Sequence, residues 1–188
     1  MITIDVYMAG KIEKGDNKWR DQLEKQNRYT DFIFNRSGPF FISDDHGCFH
    51  GEDSHGRGSN KSVPCMGSDE LTEKQYEGSQ SPESVFDLCK KQIKESDIVF
   101  AWVDEPDAFG TLYELGMCYG ICKPVFMAMP TRFSNAYGKP FDGRPEDLWF
   151  STIGADQFVY TNTHLQAWNL FKKVAYSMLG EAKRKKGK

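Results

Sequence analysis

The stretch that most limits what this chain can fold into is Asp97 to Val125, DIVFAWVDEPDAFGTLYELGMCYGICKPV. Ile98 to Val103 is apolar, too short for a long helix and rich in β-formers, as expected of a parallel strand buried on both faces. An acidic, proline-containing loop follows, Asp104 to Gly110. Thr111-Leu112-Tyr113-Glu114 then opens a helical segment to about Gly120, which Lys123-Pro124 closes, and Val125 to Met129 reads as the next strand. In open α/β sheets ligands sit outside the carboxyl ends of the strands. Asp104, Asp107 and Glu114 are delivered to that edge.

Glu114 carries two readings. T-x-x-E ahead of an apolar run is a capping box, with Thr111 as N-cap and Glu114 reaching back to it. The same placement suits a nucleophile, because the positive end of a helix dipole favours an ionised carboxylate near the first turn. A carboxylate kept anionic beside a strand-end pocket can attack an electrophilic carbon.

The whole chain narrows the setting. Its 188 residues suffice for one domain with a sizeable core. Hydrophobic content of 39% and aromatic content of 14% place it among globular rather than disordered chains. A net charge of −3 argues against a nucleic-acid polymer as partner. No apolar run has the length of a membrane span, and the start, MITIDVYMAG, lacks the basic and apolar regions of a secretory signal. Cys48, Cys65, Cys89, Cys118 and Cys122 are odd in number and lack paired short spacing, as expected of reduced thiols in the cytoplasm.

Ile2 to Met8 is the expected first strand, ended by Ala9-Gly10, whose small side chains let backbone amides approach a ligand or simply make a turn. A polar amphipathic helix is expected from near Asn17, with Trp19 and Leu23 on its inner face. Lys11, Lys14, Lys18 and Arg20 form either a solvated basic face or a phosphate site. Phe32 to Ser43 reads as extended, interrupted at Gly38-Pro39. Asp44 to Gln80 is rich in glycine, serine and histidine and too long for an ordinary connection. It is read as a lid that folds over a substrate, with His46, His50 and Phe41 as contacts. His46, Cys48, His50 and His55 are zinc-ligand types, but their spacing fits no standard site, so no metal is assigned. A helix over Ser84 to Ser96, capped by Ser81 or Ser84, leads into the Asp97 strand. Glu146 to Ile153 is a short aromatic element, Gln157 to Tyr160 the last strand, and Thr163 to Leu179 an amphipathic helix that covers the sheet. The EAKRKKGK tail is expected to fray.

Val6-Tyr7-Met8-Ala9-Gly10, Gly110-Thr111-Leu112-Tyr113-Glu114-Leu115-Gly116 and Gly120-Ile121-Cys122-Lys123-Pro124-Val125 together resemble the nucleoside 2-deoxyribosyltransferase family. The resemblance covers about a third of the chain in two separated blocks. It implies a flavodoxin-like α/β domain, mostly parallel with helices on both faces. That domain would span residues 1–182, with a lid insertion at about 36–80 and a basic tail at 183–188.

The resemblance also implies that Glu114 attacks the anomeric carbon of a nucleoside. Tyr7, Ala9, Gly10 and Gly110 would line the substrate. The family's base-assisting aspartate falls at Cys89 here; Asp87, two residues earlier and about 200° round the helix, is a candidate substrate contact but not an automatic substitute, and reads more simply as a solvated helix residue. Its second aspartate corresponds to Asp107 after a one-residue insertion, with Asp104 as fallback, and Asp107 would protonate the departing base. Asp147 or Trp149 would complete a neighbouring subunit's site, although Trp149 also suits core packing, and a homo-oligomer is expected. The expected substrates are a nucleoside or nucleotide and a free nucleobase, with no cofactor. The expected products are those of sugar transfer or of hydrolysis.

Overall fold

A computed structural model of the chain describes residues 1–11, 18–39, 82–105, 108–133 and 148–186. Six strands form one sheet: β1 (Ile2–Gly10), β2 (Arg28–Tyr29), β3 (Phe32–Gly38), β4 (Ile98–Trp102), β5 (Val125–Pro130) and β6 (Gln157–Thr161). Among the described residues five helices accompany them: α1 (Lys18–Glu24), α2 (Pro82–Glu95), α3 (Phe109–Gly120), α4 (Trp149–Gly154) and α5 (His164–Lys186). The sheet order is β2-β3-β1-β4-β5-β6. All neighbours are parallel except β2, which pairs antiparallel with the edge of β3. This is the mixed α/β class expected of the chain.

Strand chemistry explains the layering. Successive side chains of β1 point to opposite faces. Ile4, Val6 and Met8 enter one cluster, with Phe34, Phe100, Phe126, Leu23 of α1 and Trp168 and Phe171 of α5. Tyr7 and Ala9 enter the other, with Val99, Ala101, Met127, Ile93 of α2 and Leu115 of α3. Helices therefore cover both faces. The central strands β4 and β5 are buried along their whole length, as a continuous apolar run requires.

The order of the five parallel strands reverses direction between β1 and β4, which pair from Val6 with Ile98 to Gly10 with Trp102. In doubly wound sheets a reversal of this kind opens a crevice at the carboxyl ends. Gly10 and Trp102 end side by side there. A side chain on Gly10 would meet the Trp19 ring at 2.7 Å and the Trp102 carbonyl at 2.8 Å, so packing as well as turning keeps this residue small.

Several expected boundaries move. Helix α2 begins at Pro82, a residue suited to the first helical position, so Ser84 lies inside the helix and is not its cap. Helix α5 runs to Lys186, so most of the basic tail continues the helix rather than fraying. Helix α3 starts at Phe109, two residues ahead of Thr111. At its far end Cys122 takes a left-handed φ of 52°, and the Lys123 side chain donates to the carbonyls of Lys94 (3.0 Å) and Ser96, tying the end of α2 to the start of β5. The lid expected at 36–80 falls, beyond Pro39, outside the described residues. So do His46, His50, the other metal-type side chains of that stretch, Asp107 and Asp147.

Candidate active site

The early start of α3 removes the capping-box reading of Glu114. The N-cap is Ala108, which offers no side-chain hydrogen bond, and Thr111 is buried within the helix. Glu114 is the sixth helical residue, in the second turn. It therefore cannot complete a capping box, and the helix dipole, which acts over the first turn, contributes little to it. Its carboxylate turns instead to the sheet, where the Tyr7 hydroxyl donates to Oε1 at 2.5 Å. Tyr7 is fully buried on β1, three residues from the strand's end.

That bond joins residues 107 positions apart, one from each sequence block. A third side chain stands beside it. The thiol of Cys89, buried on α2, lies close enough to interact with both the Tyr7 hydroxyl and the carboxylate. The backbone of Gly38, at the end of β3, lies so close to the Tyr7 ring and Gln92 that a Cβ would meet Gln92 Oε1 at 2.6 Å and the ring at 2.7 Å. The tyrosine is thus wedged in place from the neighbouring strand.

Electrostatics follows from burial. Desolvation raises the Glu114 carboxyl above the usual carboxylate range, while the Tyr7 donor, the charge of Arg20 and the Cys89 thiol pull it back down. Burial first, and then the Glu114 charge, hold the Tyr7 hydroxyl well above its ordinary value, so it stays a donor. Burial, with Glu114 next in weight, pushes the Cys89 thiol up to about 12. Cys89 is therefore a neutral thiol at physiological pH, not a nucleophile. The cluster is one part-buried carboxylate with two neutral neighbours, on which the Arg20 charge acts. Such a carboxylate is a poor cap and a well-shielded nucleophile or base.

The remaining sequence candidates separate. Ala9 and Gly10 lie at the end of β1, next to the crevice, and Gly110 opens α3 one turn ahead of Glu114. Asp104 follows β4. Burial raises its carboxyl, the Trp102 side chain pulls it down, and its backbone carbonyl accepts from Arg132 at 2.6 Å. Asp87 is not brought to the cluster. It sits on the exposed face of α2, in a surface hollow with Lys90, Lys91 and Lys94, while Cys89 faces inward. Two residues on a helix differ by about 200° in direction, which explains the split. Trp149 begins α4, and its side chain lies outside the described residues.

The basic group after β1 also dissolves. Lys11 pairs with Glu105 across the ends of β1 and β4. Arg20 is wholly buried, with Nε donating to the Met8 carbonyl at 3.0 Å and a terminal nitrogen donating to the Gly10 carbonyl at 2.7 Å. Arg20 therefore does not belong to a solvated face, while Lys11 is partly exposed. Lys14 and the Lys18 side chain lie outside the described residues.

Sequence reasoning placed Arg20 on a solvated or phosphate-binding face and missed His164. His164 opens α5 beside Trp19 and Trp102, with ring centres 6.5 and 6.1 Å away, and its Nε2 meets Gln22 Oε1 at 2.8 Å. Burial lowers its pKa, so it favours the neutral ring. A histidine following a Thr-rich turn carried no sequence signal of this placement. No protein-family model matches the chain, and a search of curated proteins finds no match either.

Proposed function

We propose that the protein cleaves the N-glycosidic bond of a nucleoside or deoxynucleoside, with Glu114 as nucleophile, and passes the sugar to another nucleobase. The observation that carries this reading is the 2.5 Å bond between Tyr7 and Glu114, which joins the two family-like blocks at one point near the carboxyl ends of β1 and β4. The strand order, read without β2, is that of flavodoxin-like sheets, which supports the architecture the resemblance implies.

In the proposed reaction Glu114 attacks C1′ while the base departs through an oxocarbenium-like transition state, giving a glycosyl ester on Oε1 or Oε2. The Tyr7 hydroxyl holds the carboxylate's orientation and spreads its charge. Asp107 protonates the leaving base, with Asp104 as the fallback. A second base attacking the ester from the same side completes transfer with retention; water attacking there completes hydrolysis. The acid and the nucleophile are both side chains, so the scheme calls on no cofactor. A homo-oligomer is part of the proposal. Phe109, Tyr113, Tyr119, Phe150 and Ile153 are exposed along α3 and α4, an apolar surface of the kind that marks association.

The deciding experiment incubates the protein with a panel of nucleosides, deoxynucleosides and their 5′-monophosphates, with and without a free acceptor base, and follows the bases by chromatography. Base exchange by the wild type and its loss in Glu114→Gln are expected. Hydrolysis without exchange, restricted to 5′-monophosphates, would convert the reading to a nucleotide N-glycosidase. Binding without turnover, or turnover unchanged in Glu114→Gln, would end it in favour of a binding module.

A further inference from the structure

Arg20 is among the largest fully buried side chains of the protein, and the reaction described above does not use it. A guanidinium leaves water at high cost unless its donors are engaged. Here they are spent on the backbone of β1. The carbonyls of Met8 and Gly10 flank Ala9, and residues two apart on a strand share a direction, so one planar fork reaches both. The Trp19 ring lies 4.2 Å from the guanidinium carbon and limits its tilt. The same ring closes the space over Gly10. Tyr7 immediately precedes the first of the two clamped residues.

We infer that Arg20 is a positioning residue for Glu114. It locks the last three residues of β1 through two carbonyls, so that Tyr7 meets the carboxylate. This rests on the reading of Glu114 as nucleophile, and the test below is read separately from it. The groups around the pair are Tyr7 on β1, Cys89 on α2 and Cys118 on the same helix as Glu114; Arg36 on β3 and Asp104 after β4 act on Arg20 itself. Burial, then Arg36, lowers Arg20 to about 10, which leaves it charged at neutral pH. Because Arg20 lowers the Glu114 carboxyl, removing its charge moves that titration upward.

Two variants separate the clamp from the charge. Arg20→Gln removes the charge. Arg20→Lys keeps it as a point donor that cannot span two carbonyls. Full-length protein labelled with carbon-13 at the glutamate carboxyls is titrated by NMR, with the Glu114 signal identified by its loss in Glu114→Gln. In Arg20→Gln the Glu114 titration lies above the wild-type one, and the acid limb of the kcat profile moves with it. In Arg20→Lys the titration rises by less than in Arg20→Gln, because the positive charge stays while the Tyr7 donor is displaced, and kcat falls by about tenfold or more at little change in KM, the pattern of a group misplaced in the transition state. A Glu114 titration in Arg20→Gln that coincides with the wild type overturns the inference, and so does full kcat in Arg20→Lys. If Arg20→Gln fails to fold by circular dichroism, the lysine variant decides. If the wild type turns over no nucleoside, the reaction is wrong, and the titration of Arg20→Gln still judges the role of Arg20.

Discussion

The two faces of the sheet are made of different material. Under α1 and α5 the face is aromatic. Trp168 stacks on Phe171 with ring centres 4.9 Å apart and meets Phe100 edge-on at 5.2 Å, with Phe34 and Phe126 close by. Under α2 and α3 the sheet offers Ala9, Val99, Ala101, Val103, Met127 and Met129, mostly slim or pliant side chains, and among them stand Tyr7 and Cys118. Large rings bury the most apolar area per residue. Small residues bury less and leave room for a polar pair. The aromatic packing is thus concentrated on one face and the Tyr7–Glu114 pair on the other, with Arg20 of α1 the buried charge on the aromatic side.

The sharpest break between the faces is expected from Glu114→Gln. Turnover should fall by about a thousandfold or more, the scale lost when a covalent nucleophile is removed. Stability should move the other way. Burial raises the Glu114 carboxyl, so the folded state binds its proton more tightly than the unfolded state does. Its contribution to stability is complete below the unfolded carboxylate range and is lost as pH rises through the folded value. The glutamine variant lacks that loss. Its thermal midpoint at neutral pH should equal or exceed the wild type's, measured by calorimetry with kinetics on the same preparation. A variant that is both inactive and strongly destabilised would mean that the carboxylate holds the fold together and that the two faces do not divide these tasks.

Trp168→Ala should do the reverse. Trp168 is fully buried, packs against Phe34, Phe100 and Phe171, and donates from its indole nitrogen to the Gln26 carbonyl at 3.1 Å. Truncation should cost about 3–5 kcal/mol, read by denaturant unfolding. What folded protein remains should keep a near-native KM, because the ring lies across the sheet from Tyr7 and Glu114.

This division was only partly legible in the sequence. The unbroken apolar run at Ile98 has no alternation, and a strand covered on both faces produces that pattern, so β4 and the parallel sheet around it could be read directly. The inner face of α5 was legible too, since Trp168, Phe171 and Ala175 recur at helical spacing and are all buried. The start of α3 was not. Thr111 and Glu114 mimic a capping box, while the true N-cap, Ala108, has no side-chain oxygen to announce it. Arg20 was misread for a general reason: a charge in a polar segment implies solvent, and only the tertiary approach of the Met8 and Gly10 carbonyls makes its burial tolerable. Cys89 was marked by position alone. Its companions at the site come from β1 and α3, elements far away in the chain.

Tyr7→Phe tests the polar face alone. It deletes one oxygen and keeps the ring that Gly38 packs against. Glu114 loses the donor that favours its charged form, so its carboxyl rises further and the acid limb of the kcat profile shifts to higher pH. At neutral pH a loss of about tenfold to a hundredfold is expected, since a hydrogen bond to a charged group is worth about 1.5–3 kcal/mol. A profile superimposable on the wild type's would show that the hydroxyl does not tune the carboxylate.

The smallest effect is expected at Cys89→Ala, and it probes how finely the polar face is adjusted. The thiol is a neutral, weak donor with its pKa pushed up to about 12, so nothing in the proposed chemistry depends on its ionisation. Removing it withdraws one stabilising contact from the carboxylate and leaves a small void against Tyr7. The Glu114 titration should move upward by less than in Tyr7→Phe, because sulfur is the weaker partner. A stability loss of about 1 kcal/mol is expected from the cavity, and kcat at neutral pH should change by no more than about threefold. Treatment of the folded wild type with a thiol alkylator should leave activity intact over the time in which exposed Cys122 is modified, since the buried thiol is scarcely ionised. Rapid inactivation that the Cys89→Ala change abolishes would reverse this ranking and move the reactive centre from the carboxylate to the sulfur.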